Sequence, residues 1–253
     1  MDFTKRIFIT VQYDGTAYNG WQRQSNGVGI QAVIEDALES ITGCKTVVFG
    51  SGRTDAGAHA YGQTAHFDTV SRLAPERITA ALNAKLPPDI RVTAAREVDN
   101  GFHARYSAAK KTYVYKLYTG DVDNVFLLNR AYRVRGHLDL GAMRKAAAHL
   151  IGHHYFDSFM AADSSVKTTD RTIFECAVYS VQCTITDKEI ITVKVSANGF
   201  LYNMVRIITA MLIKAGQGTL DPDTVPDIIA ARDRKAAPDI VPAYGLYLLK
   251  VEY

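Results

Sequence analysis

Short segments that alternate apolar and polar residues, and longer segments with an apolar stripe every three to four residues, follow one another in a set order that restricts the possible folds sharply. Residues 6–14 (RIFITVQYD) read as a strand, and residues 30–42 put Ile30, Val33, Ile34, Ala37, Leu38 and Ile41 on one helical stripe that Gly43 ends. Short strands near 46–50 and 61–68 follow, then a helix from 75 to 85 opened by Pro75 and stopped by Pro87-Pro88, then a strand near 90–98. The order is βαββαβ. Residues 111–119, 139–151, 171–183, 189–197, 200–215 and 245–253 repeat it, with a short helix inserted at 222–233. The expectation is an α+β protein of two ferredoxin-like (βαββαβ) halves, residues 1–105 and 106–253, with room for a site in a cleft between them. Such halves carry helices on one sheet face and leave the other for binding, a face that RNA-binding modules often use.

With 47% hydrophobic and 22% charged residues the chain reads as folded rather than disordered. No apolar run approaches the roughly 18 residues of a membrane span, and MDFTKRIFITVQYD enters a strand pattern instead of a signal-peptide core. A cytoplasmic protein with no membrane association is expected. Cys44, Cys176 and Cys183 form no C-x-x-C pair and are expected to be reduced, buried thiols. The net charge of +3 is unevenly spread, because residues 100–138 carry Arg105, Lys110, Lys111, Lys116, Arg130, Arg133 and Arg135 against only Asp121 and Asp123. Tyr106, Tyr113, Tyr115, Tyr118 and Tyr132 are interleaved with these cations. Phosphates and unstacked bases suit such a surface, although alternating Lys and Tyr also describes a half-buried strand.

The sharpest chemical feature is Gly50-Ser51-Gly52-Arg53-Thr54-Asp55-Ala56-Gly57-Ala58-His59-Ala60. Three glycines make a loop of close backbone approaches, while Arg53, Asp55 and His59 supply charge and a titratable ring. No Gly-Lys-Ser/Thr follows, and the third glycine of a dinucleotide fingerprint is missing, so nucleotide hydrolysis loses its best support. Asp55 capping a turn and pairing with Arg53 is the plain structural alternative. Arg206 is the lone charge at the centre of an apolar helix, where a guanidinium must reach solvent or find a partner. Asp55 is a candidate partner, with Tyr202, Asn203, Thr209 and Ala210 forming a narrow semi-polar stripe beside the arginine. His149 and His153 stand four apart, but Gly152 interrupts the helix there, and no metal site is expected. Gln22, Arg23 and Gln24 after Trp21 either contact RNA or staple their loop, and the stretch from Asp221 to Asp239 reads as a solvated surface insertion.

Tyr13-Asp14-Gly15-Thr16-x-Tyr18-x-Gly20-Trp21-Gln22, Gly52-Arg53-Thr54-Asp55-Ala56-Gly57-x-His59-Ala60, Phe102-His103-Ala104-Arg105, Lys111-x-Tyr113-x-Tyr115, Met204-Val205-Arg206 and Gly245-Leu246-x-Leu248 together resemble the tRNA pseudouridine synthase A family. The resemblance runs nearly end to end, with Ala58 standing where the family commonly has valine. It implies a homodimer, no cofactor, tRNA as partner, and isomerisation of uridine to pseudouridine at positions 38 to 40 of the anticodon arm. Carried over by position, Asp55 would be the nucleophile, and attack at ribose C1′, attack at uracil C6 and a glycal-type route all stay open. Arg206 would favour the ionised form of Asp55, Tyr113 would stack on the uracil, and Arg53 would hold the extruded nucleotide or its phosphate. Two rivals are weighed against this. A silent RNA-binding protein needs no Asp55 and Arg206 together, and a carboxylate-dependent hydrolase needs a second acid/base group or a metal at a spacing the sequence does not offer.

Overall fold

The computed structural model describes residues 4–161, 168–184 and 186–253. Its N-terminal elements are Lys5–Tyr13 (β1), Ile30–Thr42 (α1), Phe49–Gly50 (β2), His59–Thr69 (β3), Pro75–Lys85 (α2) and Ile90–Val98 (β4). There follow Lys110–Thr119 (β5), Tyr132–Val134 (β6), Leu140–Ala148 (α3), Gly152–Tyr155 (β7), Asp170–Cys183 (β8) and Lys188–Ala197 (β9). Met204–Gly216 (α4), Val225–Ala231 (α5) and Leu246–Glu252 (β10) complete the chain. The architecture is mixed α+β with mostly antiparallel strand pairing. The residues gather into two units, one formed by the chain up to Ala109 with Tyr247–Tyr253, the other by Lys110–Leu246.

In the first unit the strands run in the order β4-β1-β3-β10, with β2 also pairing with β3. The antiparallel register sets Ile7 opposite Phe67 and Ile9 opposite Ala65, so period-two alternation drives one face of β1 inward. α1 buries Ile30, Ile34, Ala37 and Leu38, each large side chain contributing about 1.5–3 kcal/mol. Gly43 ends α1 with φ +70°, a left-handed conformation that glycine adopts without a Cβ clash, while its N–H bonds to the Glu39 carbonyl. Pro75 opens α2, and Leu86 leaves it in extended backbone (ψ 143°), as a residue before proline must. The C-terminal strand groups here rather than with the residues just before it, because Tyr247 and Leu248 pair in parallel with His59 and Ala60. Its last residue stays with it: the Tyr253 hydroxyl donates to the Ala104 carbonyl (2.9 Å), and its ring stands edge-on to Phe8.

In the second unit the order is β5-β9-β8-β7, all antiparallel, with β6 added in parallel beside β5. Along α4 every residue except Arg206 and Lys214 is buried, as expected of a helix apolar nearly all round. It packs closely on α3: a Cβ at Gly216 would meet Met143 and Leu138. Asp139 caps α3 by accepting from the N–H groups of Gly141 and Ala142. The stretch 221–239 is not a merely solvated insertion, since α5 buries Val225, Ile228 and Ile229. Ser158 donates to the Ile228 carbonyl (2.7 Å), and Arg232 pairs with Asp157 (3.0 Å), which ties the stretch down.

All three cysteines are free. Only Cys176 is buried, and burial pushes its thiol up to about 12; Cys183 is half-buried, and Cys44, just past the Gly43 turn, is exposed, so the expectation of three buried thiols fails there. No helix among the described residues is long and apolar enough to cross a membrane.

Candidate active site

The loop after β2 is fastened from three sides, and the residues that fasten it explain why glycines and small polar groups surround Asp55. Beneath it, the fully buried Gln63 of β3 receives the Ser51 hydroxyl on Oε1 (2.7 Å) and donates from Nε2 to the Gly52 carbonyl (3.0 Å). The Ser51 N–H bonds to the Thr64 carbonyl (2.8 Å), so the loop leaves the sheet at a defined angle. Beside it, the Thr54 hydroxyl shares a buried hydrogen bond with Tyr13 (2.8 Å), while the Thr54 carbonyl accepts from the Trp21 N–H (3.2 Å). Burial raises the Tyr13 phenol well above its ordinary pKa, so it stays a neutral partner. On the far side, the Gly57 N–H bonds to the Tyr18 carbonyl (3.2 Å), with Gly57 at φ +79°, and the Ala58 N–H closes a turn onto the Asp55 carbonyl (3.0 Å).

Two glycines of the segment 13–21 make this approach possible. A Cβ at Gly20, which sits at φ +82°, would collide with the Thr54 carbonyl, and one at Gly15 would collide with the Ala58 carbonyl. The tyrosines, glycines and tryptophan of 13–21 therefore act as a clamp on the Asp55 loop. Trp21 itself is buried, packed against Gly50 and tilted on Tyr13, and Arg23 pairs with Glu35 and Asp36 of α1, so this loop is stapled. His59 belongs to the same clamp. It is 2% exposed, it stacks on Tyr247 (4.5 Å), and its Nδ1 lies 3.1 Å from both the Gly15 N–H and the Asp14 carboxylate. With its proton on Nε2 the ring accepts from Gly15; with a proton on Nδ1 it donates to Asp14.

Within this frame Asp55 is half-buried and Arg53 is exposed. In the second unit, Tyr113 lies on β5 opposite Val195, is 7% exposed, and meets Phe200 edge to face (5.0 Å). Arg206 is half-buried, and its guanidinium donates to the Val241 carbonyl (2.8 Å) and to Asn203 Oδ1 (2.7 Å). Asn203 precedes α4 in a left-handed conformation (φ 61°), which asparagine tolerates better than most residues. Of the stripe expected beside Arg206, Tyr202 is exposed, but Thr209 is fully buried and donates back to the Val205 carbonyl (2.8 Å). Local backbone bonding thus removes it from any polar lining. The structure brings Arg53 and Asp55 onto one loop and sets Tyr113 and Arg206 in the other unit. Gln63 was not singled out in the sequence, while Tyr13 and Thr54 stood in the family motifs with no role of their own. Gln63 left only the faint signal of an amide inside a strand, and it is fully buried there.

The basic and aromatic stretch divides. Tyr115 and Tyr118 are core residues, and the Tyr115 hydroxyl donates to the Pro242 carbonyl (2.7 Å). Tyr106 is 77% exposed with the Arg105 guanidinium 5.7 Å from its ring, so this end of the stretch does present an aromatic face with a cation. Among the described residues no group of three His, Cys, Asp or Glu side chains could hold a metal ion. His149 stands at the C-terminal end of α3 and His153 on β7, so their spacing is not that of one helix.

Comparison with known proteins agrees in sequence along nearly the whole chain. The family model described as tRNA pseudouridine synthase matches residues 9–107 and 146–253. The tRNA pseudouridine synthase A of Ruminiclostridium cellulolyticum is 43% identical over 98% of this chain and all of its own length. Its counterparts in Caldicellulosiruptor saccharolyticus and Bacillus subtilis are 42% and 44% identical, each over 98% of this chain and at least 99% of their own. The Asp55 loop, the clamp that holds it and this end-to-end similarity lead to one conclusion: the chain belongs to the tRNA pseudouridine synthase A family, enzymes that isomerise uridine to pseudouridine in tRNA.

Proposed function

We propose that the protein converts uridine to pseudouridine in the anticodon arm of tRNA, with Asp55 as the nucleophile. The observation that carries this reading is the immobilised loop: a half-buried carboxylate whose preceding residue is bonded through both its side chain and its carbonyl. The reaction breaks the bond from ribose C1′ to N1, turns the base and rejoins it through C5, so the nucleophile must bond and later leave. A carboxylate does both, and catalysis gains when its approach is set in advance. Arg53, exposed two residues before Asp55, takes the space or the phosphate of the extruded nucleotide, since a base in a paired stem must be flipped before a side chain reaches it. The assignment of Tyr113 to the uracil and of Arg206 to the ionised form of Asp55 is carried over from the family motifs Lys111-x-Tyr113-x-Tyr115 and Met204-Val205-Arg206. A cytoplasmic location follows from the substrate.

The ferredoxin-like reading of the first half is supported by β1-α1-β2-β3-α2-β4 with the strand order β4-β1-β3-β2, the arrangement of a split βαβ unit. A homodimer is supported by the loop between β5 and β6, where Val122, Val125, Phe126 and Leu128 are each at least 65% exposed, more apolar surface than one loop of a monomer normally shows to water. The deciding experiment is chemical mapping of pseudouridine in a tRNA transcript incubated with the protein and no added cofactor, beside the Asp55→Asn protein. New pseudouridine in the anticodon arm with wild type alone is expected. Equal conversion by Asp55→Asn removes the nucleophile assignment, and conversion confined to another arm removes the target.

A further inference from the structure

The second unit contains a cleft of about 620 Å3, within the range of roughly 300–1,000 Å3 typical of small-ligand sites, and neither Tyr113 nor Arg206 lines it. Its walls come from β6, the C-terminal half of α4 and the segment 238–244. Two tyrosines line it as a pair in contact with each other: Tyr132 and Tyr244, both half-buried, have ring centroids 6.2 Å apart and tilted by 60°. Burial, first among the causes, raises the Tyr244 phenol above its ordinary pKa, so the ring is a neutral face.

The charges around the cleft are not equivalent. Arg133 is committed to its own loop, pairing with Asp123 (2.5 Å) and donating to the carbonyls of Gly120 and Asp121. That pairing also occupies Asp123. Arg135 and Lys214 differ: both are exposed, and among the described residues neither forms an ion pair. Asp239 is the remaining acid of the lining, which leaves the rim with an excess of positive charge. A lysine in the last turn of a helix also suits the helix dipole, so Lys214 by itself indicates nothing. Aromatic faces inside a cleft with two cations at its edge are a different matter, because a base stacks on the rings while its phosphate meets the cations.

We infer that this cleft is a second RNA subsite, taking one nucleotide of the substrate away from the target uridine. The inference rests on the proposed tRNA substrate and adds to it a contact made by residues outside the Asp55 loop and its clamp. Its role is affinity and placement of the RNA.

The test uses the full-length protein with Arg135→Ala/Lys214→Ala and, separately, Tyr132→Leu, each checked for unchanged melting temperature. KM and kcat are measured by release of the uridine C5 hydrogen, and tRNA Kd is measured by filter binding over a series of salt concentrations. The double variant is expected to raise KM and Kd about 5- to 10-fold and to flatten the dependence of log Kd on log salt by about one unit, the loss of one phosphate contact. Tyr132→Leu is expected to raise both at least about 5-fold with the salt slope kept, because a stacked base contributes without counterion release. In both variants kcat at saturating tRNA should change much less than KM. Values of KM and Kd within two-fold of wild type for both variants overturn the inference. So does loss of self-association in sedimentation without loss of tRNA affinity, which marks the cleft as a contact between copies. Equilibrium dialysis with uridine and adenosine monophosphates supplies the last arm: tight binding that the variants abolish, with tRNA Kd unchanged, marks a site for free nucleotides instead. If wild type forms no pseudouridine, the proposed activity fails separately, and the filter-binding arm still reads the cleft.

Discussion

A carboxylate acts as a nucleophile to best effect where its line of approach is set before substrate arrives, and the loop that carries Asp55, the proposed nucleophile, is held by bonds to its neighbours. Thr54 is bonded to Tyr13 and Trp21, and Ser51 and Gly52 to Gln63. Arg206 is legible in the sequence as a charge in an apolar helix, but its bonds to Val241 and Asn203 are not, since the Val241 carbonyl comes from 35 residues further on. Those bonds give the arginine a local role in the second unit. If it also serves Asp55, the two act as one unit and their losses do not add. Arg206→Met keeps length and apolar packing while removing the cation. The expected outcome is that Arg206→Met and Asp55→Asn each lower kcat severely and that the double variant is little worse than Asp55→Asn alone. A modest loss for Arg206→Met that multiplies with that of Asp55→Asn confines the arginine to its local bonds.

At the scale of elements, the segment from the end of β1 to the start of α1 works as one clamp, and its glycines are the parts with no substitute. Gly20 needs both a left-handed backbone (φ +82°) and the absence of a Cβ against the Thr54 carbonyl. Gly20→Ala is therefore expected to cost more than about 1 kcal/mol in urea denaturation. Because the displaced carbonyl is next to Asp55, turnover should fall as well, by up to about 100-fold for a shift near 1 Å. Wild-type stability and turnover in that variant remove the clamp from the account. A second element-scale expectation concerns β3. His66 is 2% exposed, accepts the Ala104 N–H on Nδ1 (3.2 Å), and is held at a pKa of about 4, first by burial and then by His103 and Arg6. The unfolded chain, with this histidine near 6.5, binds more protons between those values, so this group makes stability fall as pH drops from about 6.5 to about 4. His66→Gln should flatten the urea midpoint over that window, and an equally steep profile in the variant assigns the acid sensitivity to other groups.

For the whole molecule, the uneven charge is the property that acts at a distance. Residues 100–138 hold seven basic residues against two acidic ones, while the rest of the chain has 22 basic and 24 acidic residues. Phosphate contacts release counterions, so tRNA affinity should drop steeply with salt. Lys110→Ala with Lys111→Ala should reduce the slope of log Kd against log salt by up to about one unit per lost contact, as read by filter binding. A slope equal to wild type means that these two lysines make no contact with tRNA phosphates. The tyrosines in the same stretch do not act together. Tyr115 and Tyr118 fill the core, whereas Tyr106 faces water.

Local periodicity with Gly and Pro punctuation determined where the main elements lie. The helices at 30–42 and 75–85 and the strand at 90–98 fall where the sequence reading has them, because each element's own pattern states which of its faces is buried. The Asp55 loop was equally legible, since glycines cluster where backbone must pass close to backbone. What the tertiary structure decided are the pairings between distant residues. β6 and β7 are three and four residues long, too short to carry a period, and exist because β5 and β8 offer them a register. The acidic stretch 221–239 looks solvated by composition, yet Val225, Ile228 and Ile229 are buried, and Ser158 and Asp157 hold its middle through Ile228 and Arg232. The C-terminal strand joins the N-terminal unit because its partners, His59, Ala60 and Ala104, are there. Burial of one face is written into each segment's own residues, whereas a hydrogen bond across 50 or 150 positions depends on where a second segment has already folded.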